Sequence, residues 1–167
     1  VHRRSSACTC VPRAPVLRPA APGLAGGTIT LAGNQLQVLD NVRIVGLGAD
    51  SLAISSDRRS RIFEIAASVN AEISGLTVTQ GMAADGGAVY NKAGGILTLD
   101  HVVFSGNAAS SRGGALYNLG PTTISDCSFA QNSATTSGGG IYTATGGTAT
   151  ITASTFSRQT AASGGGI

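Results

Sequence analysis

The chain has little charge, few aromatic side chains and no long apolar run. It contains no Trp and one Met, and charged residues occupy 11% of its 167 positions, compared with about 25% in an average globular protein. A transmembrane helix needs a stretch of about 18 or more apolar residues, and the sequence contains no such stretch. The composition therefore excludes a helical membrane span within these residues, and the length permits one domain.

Metal-ligating residues are also scarce. Cys8 and Cys10 are too close in sequence for an easy disulfide, and with Cys127 they are too few for a closed zinc site, which needs four ligands. No cluster of acidic residues matches a calcium site, and the Gly-Gly-x-Gly-x-Asp repeat of calcium-binding solenoids does not occur. We therefore predict no metal site and no cofactor.

The formal charge of +3 belongs to one segment. Residues 1–26 contain four arginines, no acid and four of the five prolines, whereas residues 27–167 contain seven basic and eight acidic residues. A nucleic-acid-binding domain carries a basic face, so we predict no nucleic-acid partner. Residues 1–26 lack the apolar core of a signal peptide, and we expect them to form a disordered Pro/Arg-rich tail or linker.

A Gly-Gly motif returns at a fixed interval in the remaining residues. Its four copies begin at Gly86, Gly113, Gly138 and Gly164, in steps of 27, 25 and 26 residues. In the first three copies an apolar residue and then Tyr follow the glycines. A constant period of this size is typical of a solenoid, in which each repeat buries its apolar face only by stacking on its neighbours.

A second motif recurs with the same period as the first. It consists of two apolar residues five positions apart with a polar dipeptide between them, at Ile73/Val78, Leu99/Phe104, Ile124/Phe129 and Ile151/Phe156. Strand side chains alternate between faces, so both members point inward only if the strand bends at the dipeptide. The pattern predicts two short strands that meet at a corner, and the small number of helix-forming residues argues against a helical solenoid.

The period predicts a parallel β-helix of about five to six coils over residues 27–167. About 26 residues at about 3.3 Å each give a perimeter of about 85 Å, enough for three strands such as 88–90, 96–99 and 102–104. Equivalent residues should stack in columns, among them Val89/Leu116/Ile141/Ile167 and a column in which Cys127 is a buried small hydrophobe. We expect the solenoid to be truncated at its C-terminus.

The first coils are less regular. Leu39, Val42 and Ile44 repeat the offsets of Ile73, Leu76 and Val78, which makes this coil about eight residues longer than the others. We expect the charged loop 55–61 to contain the additional residues.

Together these motifs resemble a known family. The segments 27–31, 41–46 and 73–78, with the Gly-Gly-x-Ile-Tyr-Asn and Phe-x-x-Asn repeats, look like bacterial right-handed parallel β-helix proteins of the pectin-lyase-like superfamily. They are most similar to the repeats of chlamydial polymorphic outer membrane proteins. Phe-x-x-Asn matches at Phe104–Asn107 and Phe129–Asn132, and departs at Phe156–Gln159. The resemblance implies an all-β, single-stranded right-handed solenoid that is secreted, extracellular or at the cell surface or outer membrane.

One group of side chains offers acid–base chemistry. His101 and Asp126 occupy equivalent positions in adjacent coils, and Asp100 lies beside them. A carboxylate–imidazole group can transfer protons, but these residues fall at a tight corner without a basic partner. We interpret Asp100, His101 and Asp126 as a solvated corner, and retain catalysis by them as the alternative.

Columns of side chains on the outer faces of the strands are candidate ligand-binding surfaces. Tyr90, Tyr117 and Tyr142 follow inward residues, so they should point outward and either stack on one another or bind sugar rings. Thr98, Thr123 and Thr150 form a hydroxyl column that is too irregular for ice binding. Asn107/Asn132 and Asn91/Asn118 should form amide ladders, and the arginines of loop 55–61 should be solvated.

We therefore predict a non-catalytic secreted or cell-surface β-helix segment that is structural or adhesive, with a carbohydrate, or a host or cell-surface ligand, as its partner. The alternative is a fragment of a polysaccharide lyase or glycoside hydrolase that acts on acidic polysaccharide, because related folds host such enzymes.

Overall fold

A computed structural model describes residues 25–167, and the predicted tail with Cys8 and Cys10 lies outside the described residues. Over the described range the chain forms seventeen β-strands, all pairs are parallel, and no helix occurs. The strands wind into a β-solenoid of about five turns with a period of about 26 residues. The predicted fold class is confirmed.

The strand bounds follow the repeats. The first two turns contain β1 (Gly27–Thr30), β2 (Leu36–Val38), β3 (Val42–Val45), β4 (Leu52–Ser55) and β5 (Phe63–Ile65). The middle turns contain β6 (Asn70–Thr79), β7 (Met82–Asp85), β8 (Val89–Asn91), β9 (Ile96–Ser105), β10 (Ala108–Arg112) and β11 (Leu116–Asn118). The last turns contain β12 (Pro121–Ser125), β13 (Ser128–Ala130), β14 (Ser133–Ala134), β15 (Ile141–Thr143), β16 (Thr148–Thr152) and β17 (Thr155–Ser157).

Three parallel sheets enclose the core. The largest joins β1, β4, β6, β9, β12 and β16 in that order, with β3, β13 and β17 attached. A second sheet runs β2-β5-β8-β11-β15, and a third runs β7-β10-β14. The third sheet was not predicted, because its strands carry small residues such as Ala83, Ala109 and Ala134 instead of an alternating apolar pattern.

The largest sheet bends where the sequence predicts a corner. The second residue of each polar dipeptide has a positive φ: 62° at Gly75, 51° at His101, 52° at Asp126 and 47° at Ala153. Left-handed backbone costs a non-glycine residue about 1–2 kcal/mol, and the pairing on both sides of the corner holds it there. The apolar residues before and after the bend therefore both face the core, and the predicted corner is confirmed. The chain is divided into two strands there in β12/β13 and β16/β17, whereas β6 and β9 each run through the bend as one strand.

Equivalent core residues stack in register from coil to coil. Phe104, Phe129 and Phe156 form a column with ring centroids 4.9 and 4.6 Å apart and planes within 12° of parallel. Cys127, 2% exposed, lies in the predicted inner column, and burial raises the pKa of its thiol to about 11. Val89, Leu116 and Ile141 also pair as predicted. Ile167 follows the same register, because Ile141 N–H donates to Gly166 at 2.9 Å as Leu116 N–H donates to Gly140 at 3.0 Å. Ile167 is 61% exposed.

The asparagine of Phe-x-x-Asn ties neighbouring coils together. Asn132, which is fully buried, donates from Nδ2 to the carbonyl of Phe104 at 3.0 Å. Its Oδ1 accepts from the backbone N–H and the side-chain amide of Asn107 at 3.0 and 2.9 Å. Gln159 makes the equivalent contacts to Phe129 and Asn132 one coil further on. The predicted ladder therefore satisfies main-chain groups at a corner where the backbone turns away from the sheets.

The two positions of each Gly-Gly motif require glycine for different reasons. Gly113 has a φ of +67°, a conformation that side chains oppose. Gly114 has an ordinary φ, but a Cβ there would collide with the backbone oxygen of Gly139 in the next coil. The motif therefore combines a left-handed turn with close contact between coils.

The irregular first coil differs from the prediction. Ile44 pairs with Ile73 and Ile54 pairs with Val78, so the proposed offsets of Leu39 and Val42 were wrong. The additional residues lie between β3 and β4, at 46–51, where a loop that contains one turn replaces the single-residue corner of later coils. Loop 55–61 contains no additional residues, because Phe63 follows Ser55 by eight positions whereas the paired Val89 follows Thr79 by ten. The error arose because the same apolar spacing fits two registers.

Replacement of Phe129 by Ala should remove the centre of the aromatic column. The side chain is fully buried between two rings, so we expect a loss of about 3–5 kcal/mol in the free energy of unfolding. Urea denaturation followed by circular dichroism measures the change. The exposed Thr123→Ala serves as the control; an equal effect of the two substitutions would contradict the packing argument.

Replacement of Asn132 by Ala should leave the N–H of Asn107 and the carbonyl of Phe104 without their partner. Because each buried unsatisfied group costs about 1–3 kcal/mol, we expect a loss of about 2–4 kcal/mol in the same assay. Thr135→Ala, at an exposed position nearby, should change stability by less than about 0.5 kcal/mol. An Asn132→Ala protein as stable as this control would show that these hydrogen bonds do not stabilise the fold.

Candidate functional site: a tyrosine ladder and an exposed corner

Three tyrosines line the outer face of the second sheet. Tyr90, Tyr117 and Tyr142 are the middle residues of β8, β11 and β15 and pair directly. Their ring centroids are 5.1 and 5.4 Å apart, with interplanar angles of 10° and 15°. The outward orientation follows from strand alternation, and the stacking follows from the parallel register. We call these three residues the tyrosine ladder.

Arg61 covers one end of the ladder. Its guanidinium lies 4.8 Å from the centroid of Tyr90 and donates to Gln35, Glu64 and the backbone oxygens of Asp85 and Gly86. The side chain is only 14% exposed. Desolvation lowers the Arg61 pKa, while Glu64 opposes this shift. Arg61 is therefore a fixed part of the wall, and the prediction of a solvated arginine was wrong at this position.

Glu64 links this arginine to a second cation. Lys92 Nζ lies 2.7 Å from one carboxylate oxygen, and Arg61 lies 3.0 Å from the other. The hydrogen bond from Lys92 is the main reason that the pKa of Glu64 lies below its usual value. The pair of cations holds the carboxylate ionised beside Tyr90.

Arg112 covers the other two rings. Its guanidinium carbon is 5.1 Å from the centroids of both Tyr117 and Tyr142, and Nε donates to Asp85 at 3.2 Å. Contacts with Tyr142 and then Asp85 raise the Arg112 pKa. Arg112 is the last residue of β10, so the third sheet, which the sequence did not reveal, positions it. The available signal was a basic residue directly before Gly113.

The covered ladder limits how a ligand can reach the rings. Tyr117 is 6% exposed, and burial raises its pKa, whereas Tyr90 and Tyr142 are half-buried. Each inner ring face is occupied by a neighbouring ring. The groups that stay accessible on this face are the ring of Tyr142, the phenol edges and the guanidinium of Arg112, whose side chain is 37% exposed.

The structure also brings Asp100, His101 and Asp126 together. His101 Nδ1 lies 3.0 Å from Asp100 Oδ1, Ser125 donates to the same oxygen at 3.1 Å, and one ligand atom from each of the three residues falls within 4.8 Å of the others. The hydrogen bond from His101 lowers the pKa of Asp100. The His101 and Asp100 side chains are 68% and 42% exposed. The group is placed on an open corner, as expected, and its spacing alone does not make a cation site.

The remaining predicted columns are present. Thr98, Thr123 and Thr150 pair in register on the outer face of the largest sheet. The amides of Asn91 and Asn118 are 3.0 Å apart and fully buried. Arg58 and Arg59 are exposed on their loop. In the described residues, no helix is long and apolar enough to cross a membrane.

Comparison with known proteins identifies the class of this solenoid. Two stretches, residues 101–119 and 126–144, match the Chlamydia polymorphic membrane protein (Chlamydia_PMP) repeat. Each stretch runs from one corner residue, through Phe-x-x-Asn and Gly-Gly, to the strand that carries the tyrosine. No curated protein and no solved structure matches the chain. The chain is thus a β-helix repeat protein that resembles the repeats of polymorphic membrane proteins.

Replacement of Arg112 by Gln should uncover Tyr117. The chain has no Trp and its three tyrosines all belong to the ladder, so tyrosine emission reports on this face alone. We expect stronger quenching by acrylamide, because the guanidinium that lies over the ring of Tyr117 would be lost. Arg158→Gln is the matched control, since Gln80 and Gln131 hold comparable left-handed corners. Equal quenching in both variants would contradict the covering role.

Proposed function

We propose that this chain is a non-catalytic β-solenoid segment of a cell-surface or outer-membrane protein, with a structural and adhesive role. The match to the polymorphic membrane protein repeat carries this proposal. Within both matched stretches the recurring residues serve the solenoid: the phenylalanines and asparagines are fully buried and the Gly-Gly pairs form tight corners. The motif therefore builds a stiff scaffold, and the outer faces are left for contact with partners.

The tyrosine ladder is the proposed adhesive face, and a carbohydrate is the proposed ligand. Aromatic edges, phenol hydroxyls and a guanidinium are groups that contact sugar rings and donate to their hydroxyls. The half-buried Tyr142 offers this contact at the end of the ladder that Arg61 does not cover. The hydroxyl column of Thr98, Thr123 and Thr150 adds polar surface on another sheet.

Glycan binding by purified protein tests the adhesive role. A glycan array selects a ligand, and tyrosine fluorescence titration measures its affinity. Replacement of Tyr142 by Ser should weaken binding about tenfold, equivalent to about 1.4 kcal/mol, while Thr155→Ala on the largest sheet should leave it unchanged. Wild-type affinity in the Tyr142 variant would refute the ladder as the binding face, and the absence of binding to any glycan would refute a carbohydrate ligand.

The corner of Asp100, His101 and Asp126 favours one alternative, a lyase or hydrolase that acts on acidic polysaccharide. The contact between His101 and Asp100 at 3.0 Å is suited to proton transfer. Incubation with polygalacturonate tests this alternative through the ultraviolet absorbance of unsaturated products and through reducing ends. Turnover that disappears in His101→Ala and Asp126→Ala would replace the non-catalytic proposal; we expect no turnover.

A further inference from the structure

Arg112 and Arg61 cover the same ladder, but they differ in how many of their guanidinium N–H groups are used. Arg61 donates to Gln35, Glu64 and two backbone oxygens, and its side chain is 14% exposed. Within the described residues, the Arg112 side chain donates one hydrogen bond of ordinary length, from Nε to Asp85, and is 37% exposed. A guanidinium carries N–H groups on several edges, so Arg112 has donors left for a ligand.

A cavity adjoins Arg112 because of the residues that follow it in its column. The column reads Asp85, Arg112, Ser137 and Ser163 from coil to coil. The guanidinium of Arg112 lies against the ring of Tyr142, whereas the two serines are too short to fill the equivalent space in their own coils. The space beside them is a cavity of about 280 Å³, and both serines and Tyr142 line it.

The lining of this cavity suits a sugar. Tyr142 contributes an aromatic ring, and Ser137, Thr143 and Ser163 contribute hydroxyls, so we call it the hydroxyl cavity and define it by these four residues. The hydroxyl of Thr143 is buried and has no hydrogen-bond partner within the described residues, a costly state that a ligand hydroxyl would relieve. Small-molecule sites usually occupy about 300–1,000 Å³, so the cavity has room for one sugar ring.

We propose that this face binds a sugar that carries a carboxylate or a sulfate, with the sugar ring in the hydroxyl cavity against Tyr142 and the anionic group on Arg112. The inference rests on the carbohydrate ligand proposed above and specifies its class. One ligand can make both contacts, because the guanidinium carbon lies only 5.1 Å from the centroid of the Tyr142 ring. The planar fork of an arginine matches two oxygens of such an anionic group.

The charge around the ladder also favours an anion. Three cations and two carboxylates flank the rings, namely Arg61, Lys92, Arg112, Glu64 and Asp85. Residues 27–167 as a whole contain seven basic and eight acidic residues. The ladder face is therefore positive on a body of slightly negative charge, and a local excess of this kind attracts anionic ligands.

Titration with glucuronate, glucose 6-sulfate and glucose tests the proposal, since these sugars share one ring and differ in the group at C6. With sodium chloride matched across the titrations, tyrosine fluorescence should show an acidic sugar binding about tenfold more tightly than glucose. Arg112→Gln should abolish this preference, and Arg112→Lys should retain part of it, because Lys keeps the charge without the fork. Arg158→Gln, which removes one positive charge elsewhere, should retain all of it.

Equal affinities for the acidic and neutral sugars would overturn the inference and leave the carbohydrate proposal standing. A preference that survives unchanged in Arg112→Gln would do the same. If none of the three sugars binds, the inference is also overturned, and the glycan array then decides separately whether the ladder binds any carbohydrate.

Asp85→Asn decides the result if the Arg112 variants do not fold. The amide oxygen can still accept from Nε of Arg112, but the carboxylate that competes with the ligand for the guanidinium is gone. We expect the preferred acidic sugar to bind about threefold more tightly. Glu72→Gln removes one negative charge from the largest sheet and should have no such effect. Unchanged or weaker binding in Asp85→Asn, or an equal gain in Glu72→Gln, would overturn the proposal.

Discussion

Parallel, in-register stacking of one coil on the next is the constraint on which the structure depends. Each residue of a coil lies against its equivalent about 26 positions away, so the equivalent side chains of successive coils must pack favourably against one another. Apolar columns pack against themselves, as the phenylalanines do at 4.6–4.9 Å. Amide columns donate and accept in sequence, because an amide carries both groups. Columns of like charge would repel, which accounts for the low charge of the repeats.

The same constraint builds the surface. The tyrosines stack outside because the register that aligns Val89 with Leu116 also aligns Tyr90 with Tyr117. Arg61, from the loop between β4 and β5, and Arg112, from the third sheet, cover the ladder with cation–π contacts. The face is thereby rigid, with its ring faces largely occupied and its phenol and guanidinium groups at the edge. Rigidity of this kind suits recognition of an extended ligand, since little conformational entropy remains to be lost on binding.

The coils at the ends of the described stack lack the neighbouring coil that covers each inner coil on both sides. An inner coil has a neighbour on each side, whereas β1, β2 and β3 each have one neighbouring strand within the described residues and lie beside an apolar cavity. Another copy of the repeat cannot cover the exposed strand edge, because the added coil would expose an edge of its own. An end must instead be completed by residues of a different kind from those of the repeat.

The repeat period, the two phased motifs and strand alternation were sufficient to predict the parallel β-helix, the inward columns and the bend at His101 and Asp126. They were sufficient because a stacked fold translates sequence periodicity directly into contact. The tertiary structure decided the rest. It placed the additional residues of the first coil at 46–51, formed the third sheet from alanine-rich segments, and brought Arg61 and Arg112 over the tyrosines. These features depend on tertiary contacts, which are determined by strand register and by the length of individual side chains. Such contacts do not recur with the sequence period, so the period does not predict them.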